Sequence, residues 1–315
     1  MRTEWVIHIW GKKRDNLELT AQEKFHMDMI RRCKYTTIFD KVLINISMDD
    51  INDDSLFSFL KVNLLDTFSG IKEIDIRKCK NDAVLCEYVT FRPYVWDRIG
   101  ENVRIFYSHF KGYVSNIKRI GVDVSTDRNI LINEYYWSYL MYRMSLDNEY
   151  VDEMKMSFNR GKDVYCWCLL DRTNLEHIYI PEEGDYYTTF FRGIEENVPN
   201  IKDFYVNGNN DIHSPGSFVW YDMKNIGDHI GSIFSNISLD SNMLKSIFVT
   251  RHFCELYIWR FLRIENIQVQ TFINNIKQQF SSIKNNSYTQ LYCSKKICKE
   301  YINDFDKYII QNKII

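Results

Sequence analysis

The feature that most constrains the fold is an alternation of short apolar runs with amphipathic runs over the first third of the chain. The apolar, strand-like runs lie at residues 5–10, 41–46, 71–76 and 102–109. Between them, Thr20 and Glu23 form a capping box ahead of a run with helical spacing, and a second helical run begins at Asp54. Parallel strands need crossover connections, which helices supply. The alternation therefore predicts an α/β fold with a mainly parallel sheet and helices on both faces.

A third helical run follows the third apolar run. Either Asn81 or Asp82 is predicted to cap it, and its end is predicted at Ile99. Pro93 lies inside this run. Because proline has no N–H to donate and clashes with the preceding turn, the helix should be kinked or split there.

The rest of the chain is less regular. Residues 134–146 and 242–262 have the apolar spacing of helices, and residues 217–221 form a short apolar strand. Residues 163–170 form a continuous apolar run, which is typical of a strand near the centre of a sheet. Residues 114–129 are polar and aperiodic, so we predict a loop there that covers a ligand site and moves when ligand binds.

Length and composition favour a globular protein. A chain of 315 residues fits one large α/β domain or two modest ones. We predict an α/β domain over residues 1–235 and a helical C-terminal region over residues 236–315 that packs on it. The eight cysteines are scattered and lack the paired spacing of a zinc site. We therefore expect reduced, mostly buried thiols and assign no metal ligands.

Charge and hydropathy indicate which partners the protein can bind and in which compartment it is expected. The formal net charge is −2 and no long Lys/Arg run occurs, so we expect no nucleic-acid partner. The first residues lack the pattern of a secretory signal, and no apolar run approaches ~20 residues, so a cytoplasmic protein is expected. The tail at residues 295–309 is amphipathic. It either packs on the domain, which we favour, or makes a peripheral contact with the inner membrane.

Polar groups stand where the fourth apolar run ends. His109, Lys111 and Gly112 follow directly on the buried segment, and a basic turn at residues 11–14 follows the first run. In open α/β sheets ligands bind at the carboxyl ends of the strands. A His and a Lys at that edge suit an anionic ligand, whereas an ordinary solvated strand end is the alternative. Gly11 alone does not make a dinucleotide fingerprint.

Three motifs then occur in a fixed order: Tyr107-Ser-His-Phe-Lys-Gly112, Tyr136-Trp-Ser-Tyr-Leu-Met-Tyr142 and Ser214-Pro-Gly-Ser-Phe-Val-Trp220. In order and spacing they resemble a family of bacterial capsular and surface-polysaccharide glycosyltransferases. In that family a strand ending in a His-x-Lys-Gly type motif precedes a Trp-containing helix and a His-x-Ser-Gly-Asn-Phe-Trp-Trp type segment. The chain departs from the pattern at Phe110, Ser217 and Val219, and by the insertion of Pro215.

The resemblance implies a GT-A-like, nucleotide-sugar-dependent enzyme that transfers a sugar to a hydroxyl of a growing capsular or lipopolysaccharide chain. It implies a UDP- or GDP-sugar donor and a lipid-linked or polysaccharide acceptor. Mn²⁺ or Mg²⁺ remains an option, although no Asp-x-Asp motif ends the fourth strand and cations can take its place. The implied donor-side residues are His8, Trp10, Asn45, Glu87, His109, Lys111, Gly112 and Trp137, and the acceptor-side residues are Gly216, Ser217 and Trp220.

The proposed chemistry also needs a base for the attacking hydroxyl. Asp211 and His213 lie in a Gly- and Asn-rich loop ahead of an apolar strand, where a general base and a simple turn are equally well supported locally. The family motif falls here and favours the base. Glu255, four residues after Arg251, closes the family pattern and is the third catalytic candidate, although such a pair also stabilises a helix.

Two other functions fit parts of the sequence. A non-catalytic nucleotide-sugar- or glycan-binding module of the same fold would tolerate the departures at Phe110, Ser217 and Val219. A methyltransferase on a similar sheet would need a Gly-rich first turn and an acid at the end of the second strand. Gly11 alone and Asn45 at that second position argue against it.

Overall fold

One β-sheet organises the part of the chain that the computed structural model describes. That part comprises residues 1–33, 36–82, 87–110, 138–139, 141–143, 145–166, 170–171, 196, 201–206, 212–213, 218–236, 261–266, 304, 307–308 and 310–311. The strands are β1 Arg2–Gly11, β2 Lys41–Met48, β3 Ile74–Lys80, β4 Val103–His109, β5 Val164–Cys166, β6 Leu170–Asp171, β7 Ile212–His213, β8 Val219–Asp222 and β9 Ile264–Asn266. The helices are α1 Ala21–Arg32, α2 Asp54–Thr67, α3 Tyr88–Tyr94, α4 Asn148–Asn159 and α5 Met223–Asn236. Short 3-10 helices lie at Thr36–Ile38, Trp96–Arg98 and Ile201–Phe204.

The main sheet is mixed but mostly parallel. Its strand order is β3-β2-β1-β4-β8-β5-β9, and β6 pairs with β7 in a separate two-stranded sheet. The pairs β1–β2, β2–β3, β1–β4 and β5–β9 are parallel, whereas β8 runs antiparallel to both β4 and β5. Among the described strands of this sheet, β8 alone is reversed. The predicted α/β class with a mostly parallel sheet is thus confirmed.

Alternation along β1 explains why helices lie on both faces of the sheet. Trp5 and Ile7 point into the core that α1 and α2 cover, where Phe25 and Leu60 are buried. His8 points to the other face and contacts Thr90 of α3. Because successive side chains of a strand point to opposite faces, a strand covered on both sides is apolar along most of its length.

An aromatic row crosses the middle of the sheet. Trp5 is the register partner of Phe106, and Phe106 is the register partner of Trp220. The Trp5 and Phe106 ring centroids are 5.3 Å apart, and those of Phe106 and Trp220 are 4.9 Å apart. Both indole N–H groups are satisfied, by the Ser108 hydroxyl and the Ser145 carbonyl at 2.8 and 2.9 Å. Buried aromatic side chains in contact, with their N–H groups hydrogen-bonded, contribute a large apolar area to the core.

The first two strand–helix units agree with the sequence prediction, but the third is shifted. The Thr20–Glu23 capping box is present at the start of α1. The third strand, predicted over residues 71–76, runs over Ile74–Lys80, because Ile71 is held in the turn after α2 by a bond from its N–H to the Phe68 carbonyl at 2.9 Å.

The predicted cap of the third helix is also wrong. The helix begins at Tyr88, and Asn81 instead donates to Asp49 at 3.0 Å. Pro93 lies in the last turn of α3, and a separate 3-10 helix follows at Trp96–Arg98. The predicted splitting of the helix near this proline is confirmed.

The predicted strand over residues 163–170 is divided in the structure. Val164–Cys166 forms β5 of the main sheet, and Leu170 belongs to the small sheet. Asp163 precedes β5 as a fully buried carboxylate that accepts hydrogen bonds from Arg263 Nη2 at 2.7 Å and from the Arg263 N–H at 2.7 Å. His229 Nδ1 lies 2.9 Å from the same carboxylate. These contacts attach β9 to the sheet.

The C-terminal third contains structure that the sequence pattern did not indicate. Phe261 and Leu262, at the predicted end of a long helix, lie in a turn and a bend, and the strand Ile264–Asn266 falls in the segment predicted to be helical. Helix α5 and the reversal of β8 were not predicted. The division of the chain at residue 235 stays a prediction.

One residue of the amphipathic tail shows how that tail packs. Tyr308 is buried against α1, where the Arg32 guanidinium lies 4.5 Å from the ring centroid and the hydroxyl is 3.2 Å from Asp28 Oδ2. Packing on the domain, the favoured alternative, is therefore observed at this position. In the described residues, no helix combines the length and the apolar character needed to cross a bilayer.

Candidate functional site

The candidate site lies at the carboxyl ends of β1, β2 and β4. The chain proceeds from β1 to β2 and β3 on one side, and β4 is added on the other side of β1. The direction of strand addition therefore reverses between β1 and β4. In open α/β sheets this switch point opens a crevice beyond the carboxyl ends of the strands, where ligands bind.

Three polar side chains form a row across these strand ends. His8 of β1 is the register partner of Asn45 in β2 and of His109 in β4. Register partners on parallel strands project from the same face, so the three side chains stand side by side. All three are buried polar groups, with His8 and His109 retaining 8% and 7% exposure. The sequence-predicted residues His8, Asn45 and His109 are thus brought together.

Helix α3 covers this row and supplies a hydroxyl to it. Thr90 Oγ1 lies 2.7 Å from His8 Nδ1 and 2.8 Å from Asn45 Nδ2. Asn45 Nδ2 also reaches Cys79 Sγ at 3.2 Å. Thr90 is fully buried. A buried hydroxyl that links a His to an Asn fixes both side chains relative to the sheet.

Glu87 stands beside His109 just ahead of α3. Its Oε2 lies 2.8 Å from His109 Nδ1, close enough for an ion pair with a protonated imidazole, although the approach does not have hydrogen-bond geometry. The Glu87 carbonyl is 3.5 Å from the Tyr107 hydroxyl. Within the described part of the chain, neither His8 Nε2 nor His109 Nε2 has a hydrogen-bond partner. Two imidazole nitrogens are therefore left for a ligand.

Burial controls the charge of the neighbouring histidines. Desolvation lowers the pKa of His8 to about 4, with Glu87 opposing and His109 reinforcing the effect. Desolvation, reinforced by His109, lowers the pKa of His26 to about 3. His26 belongs to α1 and stacks on Phe110 at 4.6 Å between ring centroids. At neutral pH both His8 and His26 are therefore uncharged.

A second polar cluster joins the loops after β1 and β2. Asp49 accepts hydrogen bonds from Trp10 Nε1 at 2.8 Å, from the Lys13 N–H at 3.1 Å and from Asn81 Nδ2 at 3.0 Å. Burial opposes ionisation of Asp49, but these three donors prevail and lower its pKa. Trp10 keeps 37% of its surface exposed, and Lys12 Nζ lies 5.8 Å from its ring. The indole is fixed in place while part of it remains open to a ligand.

Arg14 does not take part in an anion site. Its guanidinium donates to both carboxylate oxygens of Glu23, at 2.8 and 2.6 Å, and to the Glu18 carbonyl at 2.7 Å. The prediction that Arg14 helps to bind an anion is therefore wrong, because its guanidinium is already paired with Glu23 at the start of α1. Lys12 and Lys13 remain exposed.

Trp220, assigned to the acceptor side by the resemblance, lies in the core instead. It is buried between Phe39 and Phe106, with ring centroids 5.4 and 4.9 Å away. A ligand has no access to it from the described surface. The side chain of His213, whose backbone lies in β7, and the predicted residues Lys111, Gly112, Trp137, Asp211, Gly216, Ser217 and Glu255 fall outside the described residues, as does the loop at 114–129.

Comparison with models of known protein families and with curated proteins found no match. The assignment of a function therefore depends on the geometry of the site and on the motifs in the sequence. Among the described residues, no group of three or more His, Cys, Asp or Glu side chains could hold a metal ion.

The sequence did not point to Thr90 or to Asp49. Thr90 lies in an aromatic helical run whose pattern gives no sign of a polar role. Its part in the site depends on where α3 packs against β1 and β2. Asp49 follows β2 directly, and an acid after a buried strand is a signal that could have been used.

Proposed function

We propose that the chain is a GT-A-like glycosyltransferase that moves a sugar from a UDP- or GDP-sugar to a hydroxyl of a growing capsular or lipopolysaccharide chain. The observation that carries the proposal is the pair His8 and His109, which stand side by side at the switch point. Their Nε2 atoms have no partners in the described part of the chain. The order β3-β2-β1-β4-β8-β5-β9 with one reversed strand is compatible with a GT-A-like domain.

The leaving diphosphate needs hydrogen-bond donors and positive charge. Donors aimed at the oxygens where charge develops stabilise the transition state. Glu87 Oε2 lies 2.8 Å from His109 Nδ1, and an N–H at Nε2 of the same ring would donate to a phosphate oxygen. Lys111 follows two residues later in the chain and adds a cation in the proposed cradle. Trp10, fixed by Asp49 and partly exposed, offers an aromatic surface on which a base or sugar ring can stack.

The rest of the reaction is assigned from the sequence motifs. Asp211 or His213 is proposed to take the proton from the attacking hydroxyl, with Glu255 as the next candidate. Gly216 and Ser217 are proposed to line the acceptor side, and Gly112 and Trp137 the donor side. The proposed acceptor is lipid-linked or polysaccharide, which would bring the protein to the inner membrane from the cytoplasm. A divalent metal is compatible with this chemistry, although the chain has no Asp-x-Asp motif after β4.

The proposal is tested by thermal unfolding with a panel of nucleoside diphosphates, nucleotide sugars and the parent nucleosides. A ligand at 100 times its Kd stabilises the folded state by about 2.7 kcal/mol, which is readily measured. We expect UDP or GDP, and the corresponding nucleotide sugar, to stabilise the protein more than the nucleoside does. Stabilisation by none of the diphosphates would contradict the proposal.

A second assay separates an enzyme from a binding module. The nucleotide sugar that stabilises the protein is incubated with it, with and without added Mn²⁺ or Mg²⁺, and released nucleoside diphosphate is measured. Slow release without acceptor, accelerated by a glycan acceptor, is expected of a transferase. Tight binding with no release under any condition would favour the non-catalytic nucleotide-sugar-binding module.

A further inference from the structure

The contact between Thr90 and His8 constrains the proton positions on the His8 ring. A threonine hydroxyl has one proton to donate and can accept two hydrogen bonds. Thr90 Oγ1 contacts Asn45 Nδ2 at 2.8 Å and His8 Nδ1 at 2.7 Å. Asn45 Nδ2 can only donate, so one acceptor position of the hydroxyl is occupied. In the described residues, the Thr90 proton has no acceptor other than His8 Nδ1.

The direction of these bonds selects one form of the imidazole. If the Thr90 hydroxyl donates to Nδ1, that nitrogen carries no proton and the ring proton of a neutral His8 resides on Nε2. Burial keeps the ring neutral at physiological pH, since it lowers the pKa of His8 to about 4. The chain Asn45, Thr90, His8 therefore ends in a single N–H donor, on the nitrogen that has no partner in the described part of the protein.

We propose that Thr90 is a positioning residue that holds His8 as its neutral Nε2–H tautomer, so that His8 donates a hydrogen bond to a phosphoryl oxygen in the crevice. The phosphoryl ligand rests on the proposed function, whereas the tautomer rests on the contacts alone. A neutral Nε2–H suits this position because it can bind a phosphoryl oxygen without placing a charge on a side chain that retains only 8% exposure. Without Thr90, a fraction of His8 would present an unprotonated Nε2, which repels a phosphate oxygen.

The first experiment measures the tautomer directly in the ligand-free protein. In histidine labelled with ¹⁵N, protonated and unprotonated ring nitrogens have clearly separate chemical shifts, and His8→Gln identifies the His8 signals. We expect a protonated Nε2 and an unprotonated Nδ1 for His8 at pH 7. A protonated Nδ1 would overturn the proposal, because Thr90 would then accept a hydrogen bond from His8 instead of donating one to it.

Two substitutions of Thr90 test its role. Thr90→Val keeps the shape and removes the hydroxyl, whereas Thr90→Ser keeps the hydroxyl. We expect Thr90→Ser to retain the wild-type ¹⁵N pattern and Thr90→Val to give a mixture of tautomers. An unchanged pattern in a folded Thr90→Val protein would refute the positioning role. If Thr90→Val does not fold, the wild-type and Thr90→Ser spectra still decide whether His8 carries its proton on Nε2.

Calorimetry then tests the ligand. Thr90→Val should weaken binding of the stabilising nucleoside diphosphate by about 2- to 13-fold, which corresponds to one neutral hydrogen bond of ~0.5 to 1.5 kcal/mol, and leave nucleoside binding unchanged. Thr90→Ser should bind both ligands like the wild type. Equal losses for the diphosphate and the nucleoside would refute the phosphoryl contact while the tautomer stands. If the wild-type protein binds no diphosphate, the proposed function fails and the ¹⁵N result is unaffected.

Discussion

Replacing His26 by Phe should protect the fold against acid. The His26 ring is buried, stacks on Phe110, and has Nδ1 3.0 Å from the Tyr142 hydroxyl, while its buried Nε2 has no hydrogen-bond partner among the residues that the structure describes. Desolvation and the neighbouring His109 lower its pKa from 6.5 to about 3. At a pH between these two pKa values, the His26 side chain binds a proton in the unfolded chain but not in the folded protein. The free energy of unfolding therefore falls as the pH falls.

The size of the effect follows from the two pKa values. At pH 7 the His26 linkage contributes almost nothing, and at pH 5 it destabilises the folded state by about 2 kcal/mol. Phe fits beside Phe110 and removes the unpartnered Nε2, although Tyr142 loses its hydrogen bond. These two effects oppose each other, and we expect a change at pH 7 of no more than about 1 kcal/mol.

Urea unfolding at pH 7 and pH 5 measures the difference. The wild type should lose about 2 kcal/mol more than His26→Phe over this interval, because all other groups are shared. Tyr142→Phe is the matched control, since it removes the same hydrogen bond and leaves the imidazole. It should keep the pH dependence of the wild type. If the wild type and His26→Phe lose the same free energy, His26 is not a buried neutral imidazole in the native state.

Three further predictions concern the proposed reaction. Lys111→Ala should weaken binding of a nucleoside diphosphate more than that of the nucleoside, because charge-assisted phosphate contacts are roughly twice as strong as neutral ones. Calorimetry measures both affinities, with Lys61→Ala on the exposed face of α2 as the control. Equal losses of affinity for the diphosphate and the nucleoside would exclude Lys111 from the phosphate site. Residues 114–129 should be cleaved by protease in the free protein and protected by nucleotide, and unchanged cleavage at saturation would contradict a lid. Asp211→Asn or His213→Ala should lower turnover by ~10² to 10⁴ with nucleotide affinity nearly unchanged, whereas intact turnover in both would move the base to Glu255.

The first part of the fold could be predicted because its strands are buried on both faces. β1, β2 and β4 are nearly continuous apolar runs, and such runs identify buried parallel strands. β3 was shifted because it is an edge strand that carries Asp75, Arg77 and Lys78, so its pattern is mostly polar. The three apolar residues at the start of β8, Val219 to Tyr221, carry no information on strand direction, so the reversal of this strand could not be predicted from them.

Only the part of the site that depends on where strands end could be predicted from the sequence. His8, Asn45 and His109 were each placed near a strand end, but their alignment depends on the register of three strands. Trp220 was assigned to the acceptor side, but it is buried in the core. The sequence does not distinguish an aromatic residue that faces a ligand from one that faces the core. Thr90 joins the site through the packing of α3 on the sheet, a tertiary contact with no local signature.

The most direct test of the proposed phosphate site is to locate the binding position of a nucleoside diphosphate by NMR. The chain contains seven histidines, so ¹⁵N-histidine labelling gives a small set of assignable imidazole signals. Titration with the stabilising diphosphate should shift the Nε2 signals of His8 and His109 together. The Nε2 signal of His229 should stay unchanged, because this α5 residue contacts Asp163 at the amino end of β5. The parent nucleoside should move the Nε2 signals of His8 and His109 far less. Saturable diphosphate binding that leaves both His8 and His109 unperturbed would contradict a phosphate site between β1 and β4.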